Sequence, residues 1–345
     1  MTAERHVDVL VVGAGPAGLA AAARLALAGA GRVEVLEREP EAGGVPRHCA
    51  HGGFGTWTRP LTGPAYAGLL VEAAARAGAV VRTGVTVLDW ACYTAPRRGA
   101  GLYEMCGCRR VGATSHDGAA PGTRRSAEPI GLATAGERGP ETVTAQAVVL
   151  ATGAYERPRA ARLIPGTRPA GVYTGGELLQ AVHRYRQTIG ERAVVVGAED
   201  ASYAAAGTVR AAGAEVVAMV TERPRAGSVR ALDARLRSRV PLLTGTAVTE
   251  ILGHGRLSGV RIRHRDGRTG VLACDTVVFT GDFTAEDELA RRGRIALSGG
   301  PAPYTGRPGV FAAGGLRRPG LDVRAAARAG VEAAGAVLEW LVSRP

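Results

Sequence analysis

The sequence contains no lysine: all 43 of its basic side chains are arginine. That absence excludes a Schiff base with a carbonyl substrate and a lysine general base. Aromatic residues are scarce, at 4% of 345. Alanine and glycine take the space instead, which suits close packing of helices on strands and leaves no aromatic platform interleaved with basic residues. The formal charge of +12 comes from arginines scattered along the whole chain, with no binding motif. It reads as compositional bias, and nucleic acid is not expected as a partner. Cysteine is sparse as well. Cys49, Cys92, Cys106, Cys108 and Cys274 are odd in number and fit no disulfide framework, so free thiols in a reducing compartment are expected. Cys106 and Cys108 stand one residue apart, which suits no common zinc spacing, so they read as surface residues and no metal site is expected. No apolar run is long enough to span a membrane, and the N-terminus lacks a signal-peptide apolar core, so a soluble, cytoplasmic protein is expected.

What is present is organised around residues 7–37. An apolar run at 7–12 fits a buried parallel strand. Gly13, Gly15 and Gly18 form a GxGxxG turn, and an alanine-rich helix follows to 28. Gly13 allows the tight turn, Gly15 lets backbone approach a pyrophosphate, and Gly18 lets helix and strand pack closely. A second strand at 32–36 ends in Glu37, an acid placed to accept hydrogen bonds from a ribose 2′-hydroxyl and to repel a 2′-phosphate. Strand, glycines, helix, strand and acid in this order predict a nucleotide site. The chain has length for about two domains.

The loop at 41–55 holds five glycines and one proline and cannot form long regular structure. It lies beside an extended cofactor in a dinucleotide fold, where Gly43 and Gly44 admit backbone and Arg47 meets the pyrophosphate. His48 and His51 sit in the same loop. A helix is expected at 64–77, a strand at 80–88, a small antiparallel meander or excursion between 93 and 144, and a buried strand at 145–150 leading into Ala151, Thr152 and Gly153. From 192 a second unit repeats the opening logic of strand, turn, alanine-rich helix, strand and acid. Its turn is altered: Gly197 keeps the first glycine, but Glu199 and Ser202 replace the other two. A carboxylate where phosphate belongs opposes a dinucleotide. A strand at 275–281 then ends in a threonine-glycine turn, a strand at 308–315 runs into paired glycines, and a long helix is expected at 322–341 with its N-terminus available as a positive dipole end.

VVGAGPAG at 11–18, LATG at 150–153, FTGD at 279–282 and GVFAAGG at 309–315 together resemble the pyridine nucleotide-disulfide oxidoreductase family, in its two-domain thioredoxin reductase-like form. EAGGVPRHCAHGGFG, LATGAYERPR and PAGVYTGGELLQ look most like the flavin subunits of opine oxidase, hydrogen cyanide synthase, and proline and hydroxyproline dehydrogenases. The resemblance implies an α/β fold of two Rossmann-like dinucleotide-binding domains: a discontinuous FAD domain from 1–158 and 275–345, with an NAD(P)-binding-like domain inserted at 159–274. It implies FAD contacts at Gly13, Gly15, Gly18, Glu37, Gly44, Arg47, Val87 through backbone, Thr152, Gly153 and Gly314. Arg38, Ala151, Gly281, Asp282 and Gly315 join this set.

Departures from the family pattern narrow the chemistry. Pro46 and His51 stand where glutathione-reductase relatives carry redox cysteines, and 171–180 lacks the CxxC of thioredoxin-reductase relatives, so disulfide reduction is not expected. Gly315 replaces an aspartate that holds the ribityl chain in relatives. The chain ends at Pro345 without the cysteine-rich iron-sulfur module of larger relatives, so electrons are expected to leave to dioxygen or a partner subunit. The first reading is an FAD-dependent oxidoreductase that takes hydride from a C–H next to nitrogen in a small amine, amino acid or imino acid, with oligomers allowed. The alternatives are an NAD(P)H-dependent reductase in which Arg223 and Arg225 receive a 2′-phosphate, and a non-catalytic flavoprotein subunit. His51, slightly ahead of His48, is the candidate base; the competing reading is that both only shape the loop or meet cofactor phosphate.

Overall fold

A computed structural model of the chain describes residues 3–50, 52–55, 58–91, 129–225, 240–297 and 303–343. In chain order the first unit runs through strand β1 (Ala3–Val12), helix α1 (Pro16–Leu27), β2 (Val33–Leu36), a 3₁₀ turn at Val45–His48, α2 (Gly63–Arg76), β3 (Val80–Arg82), β4 (Thr86–Ala91), β5 (Ile130–Gly136) and β6 (Gly139–Leu150). The chain leaves through β7 (Ala154–Glu156) and enters the second unit at β8 (Val172–Thr174) and α3 (Gly175–Leu179), which continues as a π turn at Gln180–Arg184. Next come β9 (Arg192–Val196), α4 (Asp200–Ala211), β10 (Glu215–Val220), β11 (Leu242–Leu243), β12 (Thr246–His254), β13 (Arg256–His264), β14 (Thr269–Ala273) and β15 (Thr276–Phe279). The return is β16 (Phe283–Ala285), followed by α5 (Glu288–Arg292), β17 (Val310–Ala312) and α6 (Val323–Val342).

The first sheet has the order β3-β2-β1-β6-β5-β4, with β17 added beside the C-terminal end of β6. β1, β2, β3, β6 and β17 are parallel, and β4-β5-β6 form an antiparallel meander. The apolar run of β1 alternates its faces: Val9 and Val11 pack with α1 and α6, while Leu10 and Val12 face the opposite layer with Leu132 and Leu289. Small side chains let the helices close on each other, since a Cβ on Gly330 of α6 would lie 2.0 Å from the Ala17 carbonyl of α1. The second sheet is a parallel β11-β10-β9-β15-β8. Beside it lies the antiparallel β12-β13-β14. β7 and β16 pair antiparallel as the two passages between the units.

Three expectations change in detail. The strand expected at 80–88 breaks at Gly84, whose φ of +67° suits a turn. It becomes β3, parallel to β2, and β4, antiparallel to β5. The return expected at 275 falls after β15, because Thr276–Phe279 is fully buried and hydrogen-bonded between β9 and β8. The N-terminus of α6 is not a free positive end: Asp322 caps it, its Oδ1 accepting the Arg324 and Ala325 amides at 2.9 Å. Cys106 and Cys108 lie outside the described residues.

One polar network crosses four strands of the first sheet. Glu34 of β2, with no exposed surface, pairs with Arg5 of β1 and lies 3.7 Å from Arg82 of β3. Glu141 of β6 completes it, 2.9 Å from Arg5 and 3.1 Å from Arg82.

Candidate flavin site and the second glycine turn

The strands β1, β6 and β17 end side by side, and their glycine turns meet. A Cβ on Gly13 would lie 2.5 Å from the Ala151 carbonyl, one on Gly314 would lie 2.7 Å from Cβ of Ala17, and one on Gly315 would lie 3.3 Å from the Ala154 amide nitrogen. Gly18 closes the helix on its own turn, with a Cβ there only 1.9 Å from the Gly13 carbonyl. Gly44 brings the glycine-rich loop onto the same place, since its Cβ would lie 2.9 Å from Cα of Gly15. The Gly43 amide donates to the Ala14 carbonyl at 2.9 Å.

Gly15 is the exception in this crowd. It is the N-cap of α1 with ordinary extended backbone (φ −80°, ψ −177°), no side chain caps the helix, and its first turn holds no acid. Among the described residues nothing lies within 4 Å of a Cβ placed there. The open side of Gly15 and the uncapped amides of α1 form the cradle that a pyrophosphate needs. Glu37 is held ready beside it. Its Oε2 accepts the Ala14 amide at 2.8 Å and its Oε1 the Glu39 amide at 2.9 Å, so the buried carboxylate is fixed while lone pairs remain for ribose hydroxyls. These residues fit FAD.

The remaining predicted contacts are distributed around that cradle. Thr152 donates through Oγ1 to the Glu286 carbonyl at 2.7 Å, and the Gly153 carbonyl accepts the Glu286 amide at 3.0 Å, which fixes the turn after β6. Val87 is on β4, and Arg38 is exposed past β2. Arg47 is engaged by Glu41, with Nε 3.0 Å from its carboxylate and Nη1 on its carbonyl. Gly281 and the exposed Asp282 lie at the crossing between units. Asp282 has a left-handed φ of +51° and pairs with Arg157 at 3.1 Å. His51 lies outside the described residues. His48 is half-buried beside the interdomain ion pair Arg184–Glu39, 3.2 Å long. Burial first, then the charges of Arg47 and Arg184, hold its imidazole below the ordinary histidine value, against the opposing pull of Glu39 and Glu41.

The second unit treats the same position differently. At the α4 N-terminus the Glu199 carboxylate accepts the Ala198 amide at 3.0 Å and the Ser202 hydroxyl at 3.1 Å, and the Ser202 hydroxyl accepts the Glu199 amide at 3.1 Å. Arg223 reaches the other oxygen at 3.1 Å. The turn that would meet a phosphate thus holds the chain's own anion, with Oε2 of Glu199 3.0 Å from a Cβ placed on Gly197. Sequence reasoning missed three contacts that assemble this region: the Ala14 amide on Glu37, the Glu286 backbone on the Thr152–Gly153 turn, and Glu156. Only Glu156 left a signal, an acid directly after the glycine turn in 150–156.

A buried acid beside an uncapped helix after GxGxxG, followed by a second parallel unit with an altered turn, marks an FAD-dependent oxidoreductase of two dinucleotide-binding folds. The pyridine nucleotide-disulphide oxidoreductase family model matches residues 113–330, and an FAD binding domain model matches 8–97. With more than half of its length matched by the first of these, the chain belongs to the pyridine nucleotide-disulphide oxidoreductase family.

The chain is 28% identical over 324 residues to the sarcosine oxidase subunit alpha of Rhizobium meliloti (strain 1021), covering 94% of this chain and 28% of that protein. It is 30% identical over 299 residues to the corresponding subunit of Corynebacterium sp. (strain U-96), covering 84% of this chain and again 28% of the relative. The chain therefore spans under a third of the length of these relatives. Among solved structures, T. acidophilum thioredoxin reductase superposes with a TM-score of 0.75 at 20% identity, covering 99% of this chain and 100% of that one. L-proline dehydrogenase from P. horikoshii gives a TM-score of 0.64 at 14% identity, covering 99% of this chain and 57% of that one. At these identities the two structures establish the fold alone.

Free thiols, where described, are buried at Cys49 and Cys274. Among the described residues there is no cluster suited to a metal ion and no helix long and apolar enough to cross a membrane.

Proposed function

We propose that this oxidoreductase dehydrogenates a small amine, amino acid or imino acid at the C–H next to nitrogen. The observation that carries the reading is the contrast between the two helix N-termini. The α1 end is open at Gly15, whereas the α4 end is filled by Glu199 and its partner Arg223. A closed second turn argues against hydride entering from a nicotinamide and favours an organic substrate as the electron source. The relatives' activities, sarcosine oxidation and L-proline dehydrogenation, support a secondary amine.

Bound FAD supplies the two-electron acceptor. The chain's residues hold it through the Gly13–Gly18 turn, Glu37, and the 151–153 and 314–315 turns. His48, kept neutral by burial and by two arginines, is the described group suited to take the proton of a substrate ammonium, and His51 is its rival in the same loop. That the relatives are subunits supports a partner subunit as the electron acceptor, with dioxygen as the alternative.

Anaerobic titration of the flavin absorbance tests the reading. Sarcosine, L-proline and related secondary amines should bleach it, and NADH and NADPH should leave it oxidised. Rapid stoichiometric bleaching by either nucleotide would overturn the proposal in favour of a reductase. The Glu199→Gly variant should gain measurable nucleotide binding, because glycine costs an N-cap only a few tenths of a kcal/mol and removes the carboxylate from the turn. With a working substrate, the acid limb of the reduction rate should fall below the ordinary histidine value, since the proton acceptor acts only above its pKa. His48→Asn should slow reduction about 100-fold and remove that limb. If both His48→Asn and His51→Asn keep flavin, rate and pH profile, the pair is scaffold.

A further inference from the structure

Glu156 is a titratable group that the proposed chemistry does not use, and it sits where the two units join. It is the last residue of β7, the strand through which the chain leaves the first unit, and in register it faces Phe283 of the returning strand β16. Its Oε2 accepts the Gly176 amide of α3 at 2.8 Å, and its Oε1 accepts the Gly281 amide beyond β15 at 3.2 Å. A Cβ on Gly175 would lie 2.8 Å from both carboxylate oxygens, so only glycine permits this approach. Burial first and then the Glu156 charge push the thiol of Cys49, in the first unit, up to about 11. Cys49 packs in turn with Phe54 and with Leu179 of α3.

The surroundings hold the carboxylate in this position. Arg162 donates to the Thr280 and Gly281 carbonyls at 3.2 and 2.8 Å, and lies 3.9 Å from Asp282. Glu199 closes on the other side of the turn, its Oε2 lying 3.0 Å from a Cβ placed on Gly281. Burial raises the Glu156 pKa, opposed by the Gly176 and Gly281 amides, by Arg162 and by the Gly175 amide.

We infer that Glu156 is a positioning residue: one carboxylate clamps the passage strand β7 to the entry and the exit of the second unit, and so seats α3 over the Cys49 loop of the first. The inference is independent of the substrate, because it concerns how the two units are held and not what is oxidised. A side chain that only filled space would be replaceable by its isostere. A clamp requires an acceptor on each oxygen. Glutamine keeps one acceptor and turns an NH₂ group toward an amide that is itself a donor, which forfeits one of two charge-assisted hydrogen bonds.

The test uses the full flavin-loaded chain as parent, Glu156→Gln and Glu156→Ala. Amide hydrogen exchange is followed in peptides covering 171–184 and 276–286, and the pH dependence of Cys49 alkylation by iodoacetamide is mapped by peptide mass. In Glu156→Gln the exchange in both segments should accelerate about tenfold or more, with the rest of the sheets unchanged. The Cys49 titration should move below about 11, because the Glu156 charge is gone. Glu156→Ala should exceed Gln in both readouts, and if it fails to fold the Gln variant alone decides. Parent-like exchange together with a parent-like Cys49 titration in Glu156→Gln would overturn the clamp. The flavin titration with amines is a separate measurement, so either conclusion can fail without the other.

Discussion

Replacing Gly15 by leucine is expected to yield a folded protein without colour. Gly15 has ordinary extended backbone, and among the described residues a Cβ there meets nothing within 4 Å, so the flavin-free fold tolerates a side chain at this position. The same side chain would stand in the path of the pyrophosphate at the end of α1. Flavin content, read from the visible absorbance, should fall from about one FAD per chain to less than about a tenth of that. The far-ultraviolet dichroism and melting temperature of the flavin-free forms should match the parent.

Gly18 gives the control. A Cβ there would lie 1.9 Å from the Gly13 carbonyl, so Gly18→Ala should destabilise the fold itself by about 1–3 kcal/mol or more. Full flavin content in Gly15→Leu would mean that the cofactor lies elsewhere.

The second large effect is on stability. Glu34→Ala should destabilise the first unit by about 3 kcal/mol, measured by urea unfolding of the flavin-free chain. Glu34 has no exposed surface and faces Arg5 and Arg82, which then share Glu141 alone. Arg5 is only 16% exposed, so its charge is poorly compensated by water. The value stays at the lower end of the usual range because Glu141 remains within 3.1 Å of both arginines. Changing Glu34 and Arg5 together to leucine leaves the Arg82–Glu141 pair and should return stability to within about 1.5 kcal/mol of the parent. A single Glu34→Ala variant as stable as the parent would show that the network contributes nothing net.

The network also sets an acid limit. The hydrogen bond from Arg5, opposed by burial and aided by the charges of Arg5 and Arg82, holds Glu141 below its ordinary value of 4.5. A depressed carboxylate contributes stability that is complete above the unfolded-state value and is lost as pH falls through the folded one. That part of the acid unfolding should disappear in Glu141→Gln.

Much of the fold was legible because its signals are local. The run at 7–12, the three glycines, the alanine-rich helix and Glu37 are each specified within a few residues, and period and spacing alone predict a strand, a turn and a helix. The altered turn at Gly197–Ser202 was legible for the same reason, since a carboxylate in place of the second glycine opposes a phosphate there.

Pairing between distant segments was not. β15 could be read as a buried strand, but only its hydrogen bonds to β9 and β8 assign it to the second sheet. The strand at 80–88 divides because one half pairs with β2 and the other with β5, partners that no local pattern names.

The sequence by itself determined the glycine turn, the acid that follows its second strand, the absence of lysine chemistry and the carboxylate in the second turn, since each is a property of one residue or one short spacing. Only the tertiary structure decided that Gly15, unlike Gly13 and Gly18 of the same turn, faces open space, that Glu199 is held at the α4 N-terminus by Ser202 and Arg223, and that Glu156 joins Gly176 to Gly281. The reason is physical: what a carboxylate does depends on the donors brought to it. Those donors stand 20 and 125 residues from Glu156 along the chain, and only packing sets them about 3 Å away.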